Sequence, residues 1–382
     1  MKKSHAHAFR KLASHYGSPA LQKVVNGFLE SLPLGPLPLN RQNTQKGQAI
    51  VLLLLFAGLC QASASWAGQS LGAFGSLGSS SDTAFRAIEP ISEGMITRYI
   101  NTQLQALPRK LLRGRCKRNP PHAYLLLDFH RDPSYSKKAP RGTTKGPPKN
   151  STTRAWSYLV AELLAGDRKH IVGVVLRHAG ESITDHVARL FQYLPKNLHF
   201  RAVIFDGEFA TAGVLHLLKE HNLFFLARCP ARGYLKGLLR KAANTPKAKA
   251  ARFWVGASIA NKYHQEAFFD ATWEWTPGGP RLIIKSPGWH LTITDAEELY
   301  GRRFNIESSF RDLHLFQPRT NSSNVNLRLM LVFVAFVWYS VYKTAISTEK
   351  PATTRKGEWK EQVRTFRMYG LLEMSAMGVE CP

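Results

Sequence analysis

The sequence predicts an α/β fold, a mixed sheet flanked by helices, with a helical N-terminal domain before it and a β-rich insertion within it. Three observations lead there. Up to about residue 115 the pattern is helical, broken at Pro33 to Pro38 and by a Gly/Ser-rich loop from Gly72 to Asp82. At Pro120 and Pro121 it changes to short apolar runs. Between Pro230 and Leu291 the chain turns basic and then alternates polar with apolar, as in HQEAFFDATWEW and RLIIKSPGWHLTI.

The runs Ala123 to Phe129, Trp156 to Leu164 and Ile171 to Arg177 read as strands. A helix from Thr184 to Leu194, a strand from Ala202 to Phe205, a helix from Thr211 to His221 and a strand from Leu223 to Arg228 follow. Strand, strand, strand, helix, strand, helix, strand is the order of the RNase H-like fold, whose first and fourth strands are sheet neighbours. A last helix begins at Thr294, where Thr294 and Glu297 form a capping box, and stops near Phe316 before Pro318. The organisation expected is a helical domain over 1–119, the first part of the core over 120–229, a β-rich insertion subdomain over 230–291, the second part of the core over 292–346 and a tail over 347–382.

Charge narrows the partner. Lys plus Arg number 52 against 26 Asp plus Glu, a formal net charge of +26 in 382 residues. Self-repulsion on that scale calls for a polyanion, and DNA or RNA releases counterions for each phosphate neutralised. An anionic membrane is the other candidate. The basic residues cluster at Pro108 to Arg118, Lys137 to Arg154 and Arg232 to Arg252, which favours an extended polyanion. Cys60, Cys116, Cys229 and Cys381 lie far apart with no CxxC pair, which argues against a structural zinc site or disulfide framework and fits a reducing cytoplasm. The uncharged segment Ala49 to Gly68 resembles a signal-peptide core but starts too late, so a buried helix is expected; Leu329 to Tyr342 is read as a core helix under the sheet.

Two strands end in acids. YLLLDFH delivers Asp128, and AVIFDGEF delivers Asp206. Two-metal phosphodiester chemistry needs carboxylates that hold Mg²⁺ or Mn²⁺ ions about 4 Å apart, and a rigid sheet supplies that geometry better than a loop. On one continuous helix Tyr300, Arg303, Glu307 and His314 would share a stripe about 60° wide, with Leu299, Ile306, Phe310 and Leu313 on an adjoining apolar stripe. Glu208 would join Asp206 on one face if the strand continued. Asp132, Asp270 and Asp312 read as turn, strand-edge and surface charges, and His130 as structural or DNA-facing.

YGRRFNIESSFRDLH, from Tyr300 to His314, resembles the Tyr-(2)-Arg-(3)-Glu-(6)-Lys signature of insertion-sequence DDE transposases, and LLDFHRDPSY and FDGEFA resemble that family's two aspartate regions. The resemblance runs from about Ala123 to Tyr342. It implies an RNase H-like catalytic core with Asp128, Asp206 and Glu307 as catalytic metal ligands for two Mg²⁺ (or Mn²⁺) ions. It implies DNA contacts from Tyr300 and Arg303, and DNA held by the β-rich insertion, where Trp273 or Trp275 is a candidate to stack on an unstacked base. The signature's Lys is His314 here, and Arg311 can supply the permanent charge. The expected activity is Mg-dependent cleavage at transposon ends and strand transfer into target DNA, by a homodimer on double-stranded DNA with inverted terminal repeats, nucleoid-associated in the cytoplasm. A nuclease without strand transfer, and an inactive nucleic-acid-binding or membrane-surface relative, are the competing expectations.

Overall fold

The structure is a computed structural model that describes residues 37–39, 44–73, 81–112, 123–136, 138–149, 151–165, 168–194, 200–229, 235–244, 253–260, 265–276, 279–303, 310, 313–348, 363, 366–367 and 370. Four helices come first: α1 (Thr44–Cys60), α2 (Ala64–Ala73), α3 (Ser81–Ile88) and α4 (Glu93–Leu112). Then come β1 (Ala123–Pro133), β2 (Thr143–Lys149), β3 (Thr152–Ala165), β4 (Arg168–Leu176), α5 (Ile183–Tyr193), β5 (Phe200–Phe205), a 3₁₀ turn (Gly207–Phe209), α6 (Ala212–Glu220) and β6 (Phe224–Cys229). α7 (Leu235–Asn244), β7 (Val255–Ala260), β8 (Glu266–Thr276), β9 (Gly279–Lys285), α8 (Ile293–Gly301) and α9 (Val325–Thr348) complete the described elements.

One mixed sheet runs β2-β3-β1-β5-β6-β9-β8-β7, with β4 also on β3. β3 pairs antiparallel with β1 along one edge, and along the other first with β2 and then with β4. β5 is parallel to β1, and β6 is parallel to β5. β9 joins β6 antiparallel, so the strands between β6 and α8 continue the same sheet. β2 escapes a propensity reading because it carries Gly146, Pro147 and Pro148, residues tolerated on an edge strand, and its register shifts between Lys145 and Lys149.

Period-2 alternation assigns the faces. Leu125, Leu127 and Phe129 of β1 face a core closed by α5, α6 and α7, with Val187, Leu190, Val214, Leu218 and Leu235. The even residues of β1 face the opposite side. There Leu126 joins Ala202, Ile204 and Leu226 under Ala296, Leu299 and Tyr300 of α8. The β3 and β4 part of this side, with Trp156, Tyr158, Val160 and Ile171, packs against α1, α4 and α9 in one cluster.

α1 and α9 are the two strongly apolar segments, and both are buried in that cluster as expected. By length and composition Val325–Lys343 could cross a membrane, but 94% of that window is buried inside the protein. The two helices approach closely at Gly58, where a Cβ would lie 2.6 Å from Val334 and 2.8 Å from the Phe316 carbonyl. α1 ends in a Schellman motif, with Gln61 in the left-handed region (φ 51) and Ala62 N–H donating to the Ala57 carbonyl. Gln61 then donates to the His314 carbonyl at 2.7 Å, and Arg319 N–H donates to the Ala62 carbonyl, so the N-terminal helices brace the segment that follows α8. At the β4 side, Asn101 of α4 both donates to and accepts from the Val174 backbone at 2.8 Å, satisfying groups that burial cuts off from water.

Candidate functional site

The parallel pairing of β1 with β5 ends at Leu127 opposite Phe205. The next residue on each strand is an aspartate, so Asp128 and Asp206 emerge side by side. Each lies two residues beyond an apolar residue under α8, Leu126 and Ile204 respectively, and therefore on that same face. β1 itself continues to Pro133, so Asp128 lies within its own strand and at the end of its neighbour's. Asp206 leaves the strand as the cap of the 3₁₀ turn, its Oδ1 accepting from Gly207 N–H at 2.6 Å. Asp128 Oδ1 accepts from Phe129 N–H at 2.8 Å.

The free oxygen of each carboxylate turns to one cation. Arg303 places Nη1 3.1 Å from Asp128 Oδ2 and Nη2 3.3 Å from Asp206 Oδ2. Its Nε donates to the Tyr300 hydroxyl at 3.0 Å. The Arg303 side chain is only 4% exposed and that of Asp206 is 48% exposed, so the cluster is closed on the α8 side and open beside Asp206. Burial pushes the Asp128 carboxyl up to about 6; Arg303 and the Phe129 N–H oppose the rise, and Asp206 adds to it. Burial likewise pushes the Tyr300 hydroxyl up to about 12. Arg303 stays charged, the cost of its burial outweighed by Tyr300 and the two aspartates.

The segment that presents Tyr300 and Arg303 corrects two expectations. Its cap is Thr292, which accepts from Asp295 N–H at 3.1 Å and donates to the Asp295 carboxylate at 2.6 Å, so the box lies two residues before Thr294 and Glu297. Nor does one helix run from there to Phe316. α8 ends at Gly301, a poor helix former, and the chain tightens so that Arg303 N–H donates to the Tyr300 carbonyl. Arg303 reaches the carboxylates from this turn, and the single-helix stripe through His314 does not form. Glu307 and Arg311 lie outside the described residues. His314 is exposed, its ring 5.4 Å from that of buried His130. His130 stands two residues beyond Asp128 on the same face and packs among Tyr158, Phe310 and Phe336, a structural rather than a DNA-facing position.

Glu208 does not line up with Asp206. The strand stops at Phe205, and the turn sends Glu208 to Arg131 at 3.2 Å and Arg177 at 3.4 Å, with Arg177 lying over the Phe129 ring. Asp132 is no turn residue: it sits in β1, buried, paired with Arg328 at 2.9 Å. Asp270 pairs with Lys285, and Asp312 lies outside the described residues. Trp273 is buried, its ring 5.8 Å from Phe253 and edge-on to it; the side chain of Trp275 lies outside the described residues.

Sequence reasoning missed Arg228. Two residues beyond Leu226 on β6, it carries its guanidinium 4.6 Å over the Tyr300 ring and pairs with Glu274 of β8. The same alternation that placed Asp128 could have found it. Glu274, Arg228, Arg303 and the aspartate pair thus form a charged row across one sheet face.

Among the described residues no cluster of three or more His, Cys, Asp or Glu side chains gathers. The donor set of Asp128 and Asp206 nevertheless fits a divalent cation, because two hard carboxylate oxygens converge on one positive group, the Arg303 guanidinium.

No protein-family model matches the chain, and no curated protein matches it. A solved structure that it resembles is the piggyBac transposase synaptic complex with hairpin DNA, determined by cryo-electron microscopy, with a TM-score of 0.47 and 10% sequence identity. The likeness covers 79% of this chain and 64% of that one, so the chain matches less than two thirds of that protein's length and no residue role follows from it.

Proposed function

We propose that the protein is a DNA transposase of the DDE type, built on an RNase H-like core, that cleaves at transposon ends and transfers the strand into target DNA. The observation that carries this is the placement of Asp128 and Asp206 side by side, one residue beyond the end of the parallel pairing of β1 with β5, with their outer oxygens converging on one cation. The order β4-β3-β1-β5-β6, antiparallel then parallel about β1, supports the RNase H-like reading. The net charge of +26 supports a nucleic-acid partner.

Asp128 and Asp206, with Glu307 as the third acid, would hold two Mg²⁺ or Mn²⁺ ions. Bound there, such ions activate the attacking oxygen and stabilise the leaving oxygen of a phosphodiester. The protein's own contributions are separate. The sheet fixes the two carboxylates, Tyr300 orients Arg303, and the open side beside Asp206 admits the strand. Arg303 and Arg228 place positive charge where phosphate oxygens would lie. The partners proposed are double-stranded DNA with inverted terminal repeats and a second copy of the chain.

Duplex oligonucleotides made from the DNA flanking the gene, incubated with Mg²⁺ and a target plasmid, test the reading. A transposase cuts at the ends and joins them to the plasmid; cutting without joining would mark a nuclease. Asp206→Asn, which replaces a charged ligand with a poor one, should abolish both reactions, and wild-type cleavage by that variant would sink the assignment.

A further inference from the structure

We infer that Arg303 is a placeholder cation, occupying the carboxylate pair in the metal-free protein and giving up both oxygens when a divalent ion enters. The inference rests on the metal reading above and adds a device that controls entry to that site.

Three features carry it. The guanidinium is shared: one Nη serves Asp128 at 3.1 Å and the other serves Asp206 at 3.3 Å, each through the Oδ2 that points away from the backbone. Each Oδ1 is already engaged by a backbone N–H, so Oδ2 is the oxygen a metal would use and the one Arg303 covers. A divalent ion and a guanidinium cannot both sit against the same two oxygens, because like charges at contact distance in a buried site repel strongly.

The second feature is imbalance. One positive group faces two carboxylates, its Nη1 on Asp128 and its Nη2 on Asp206. A divalent ion in its place would neutralise both. The third feature is a way out. Arg303 lies in the turn beyond α8, tethered through Nε to Tyr300, and the cluster opens on the side of half-exposed Asp206. Swinging about that tether takes the guanidinium toward incoming phosphate while leaving the carboxylates in place. Arg303 is therefore a positioning residue before metal binds and a phosphate contact afterwards.

Mn²⁺ binding measured by electron paramagnetic resonance on the full chain, without DNA, tests this. Arg303→Gln should bind Mn²⁺ at least tenfold more tightly than wild type, whereas Arg303→Lys, which keeps a cation, should stay close to wild type. Equal or weaker binding by Arg303→Gln would overturn the placeholder role while leaving the metal site standing. If Mn²⁺ binding to wild type is unchanged by Asp128→Asn, the metal reading itself fails and the inference with it. Should Arg303→Gln be destabilised without metal, its thermal melt decides: Mn²⁺ should raise Tm more in the variant than in wild type, and an equal rise contradicts the inference.

Discussion

Asp128 and Asp132 stand on the same face of β1, about 13 Å apart at the rise of a strand, and each meets an arginine. The two pairs are built differently. Arg328 donates to Asp132 at 2.9 Å, to the Ser322 carbonyl at 2.8 Å and to the Thr320 carbonyl at 3.4 Å, and lies 4.1 Å over the Trp156 ring. One carboxylate meets one guanidinium whose other donors end on backbone, and the pair is closed. Arg303 is divided between two carboxylates, one of them half-exposed, and Asp128 is pushed up to about 6. The same residue types make a closed pair in one place and a shared cluster, open on one side, in the other. What separates them is charge balance and access, which residue identity does not report.

Breaking the clasp should have the largest effect on stability. Arg328→Ala leaves Asp132 buried and unpaired and should cost about 3 to 5 kcal/mol in urea unfolding, with Mn²⁺ affinity unchanged. A variant that lost metal binding instead would erase the distinction between the two pairs.

The opposite face of β1 supplies a control governed by burial. His186 is fully buried, 5.6 Å from the Phe129 ring, and desolvation depresses its pKa to about 4; Arg189 and Arg177 add to the fall, and Glu181 and the Val175 carbonyl oppose it. The unfolded chain takes up this proton near pH 6.5 and the folded chain only near pH 4. Stability is therefore present above about pH 6.5 and lost as pH falls toward 4, on the order of 3 kcal/mol from this group. Urea midpoints from pH 7 to pH 4.5 should fall less in His186→Leu than in wild type; parallel curves would count against the assignment.

The smallest effect is expected at the half-exposed Glu208. Glu208→Gln should change stability by less than about 1 kcal/mol and leave Mn²⁺ affinity alone. A tenfold loss of affinity would move Glu208 into the metal site.

Much of the sheet was legible because its strands alternate or run apolar between clear breaks. The aspartates followed from the same pattern, since AVIF and YLLL each point the next residue toward α8. The helix signature was legible as residue types and misleading as geometry. Thr294 and Glu297 satisfy a capping pattern, but Thr292 and Asp295 do so two residues earlier, and Gly301 ends the helix before a stripe through His314 can form. β2 was hidden by Gly146, Pro147 and Pro148, which suit an edge and contradict propensity. Arg228 and Arg328 went unremarked because their partners come from strands and loops distant in sequence, and no local spacing encodes that.

Iron-directed cleavage of the protein tests the central claim most directly. Fe²⁺ bound in place of Mg²⁺, with ascorbate and peroxide, cuts the backbone next to the metal. The account predicts fragments from cuts beside residues 128 and 206 in wild type, and their disappearance in Asp206→Asn. Cuts that ignore these strands, or that persist unchanged in Asp206→Asn, would show that the two aspartates do not hold the metal.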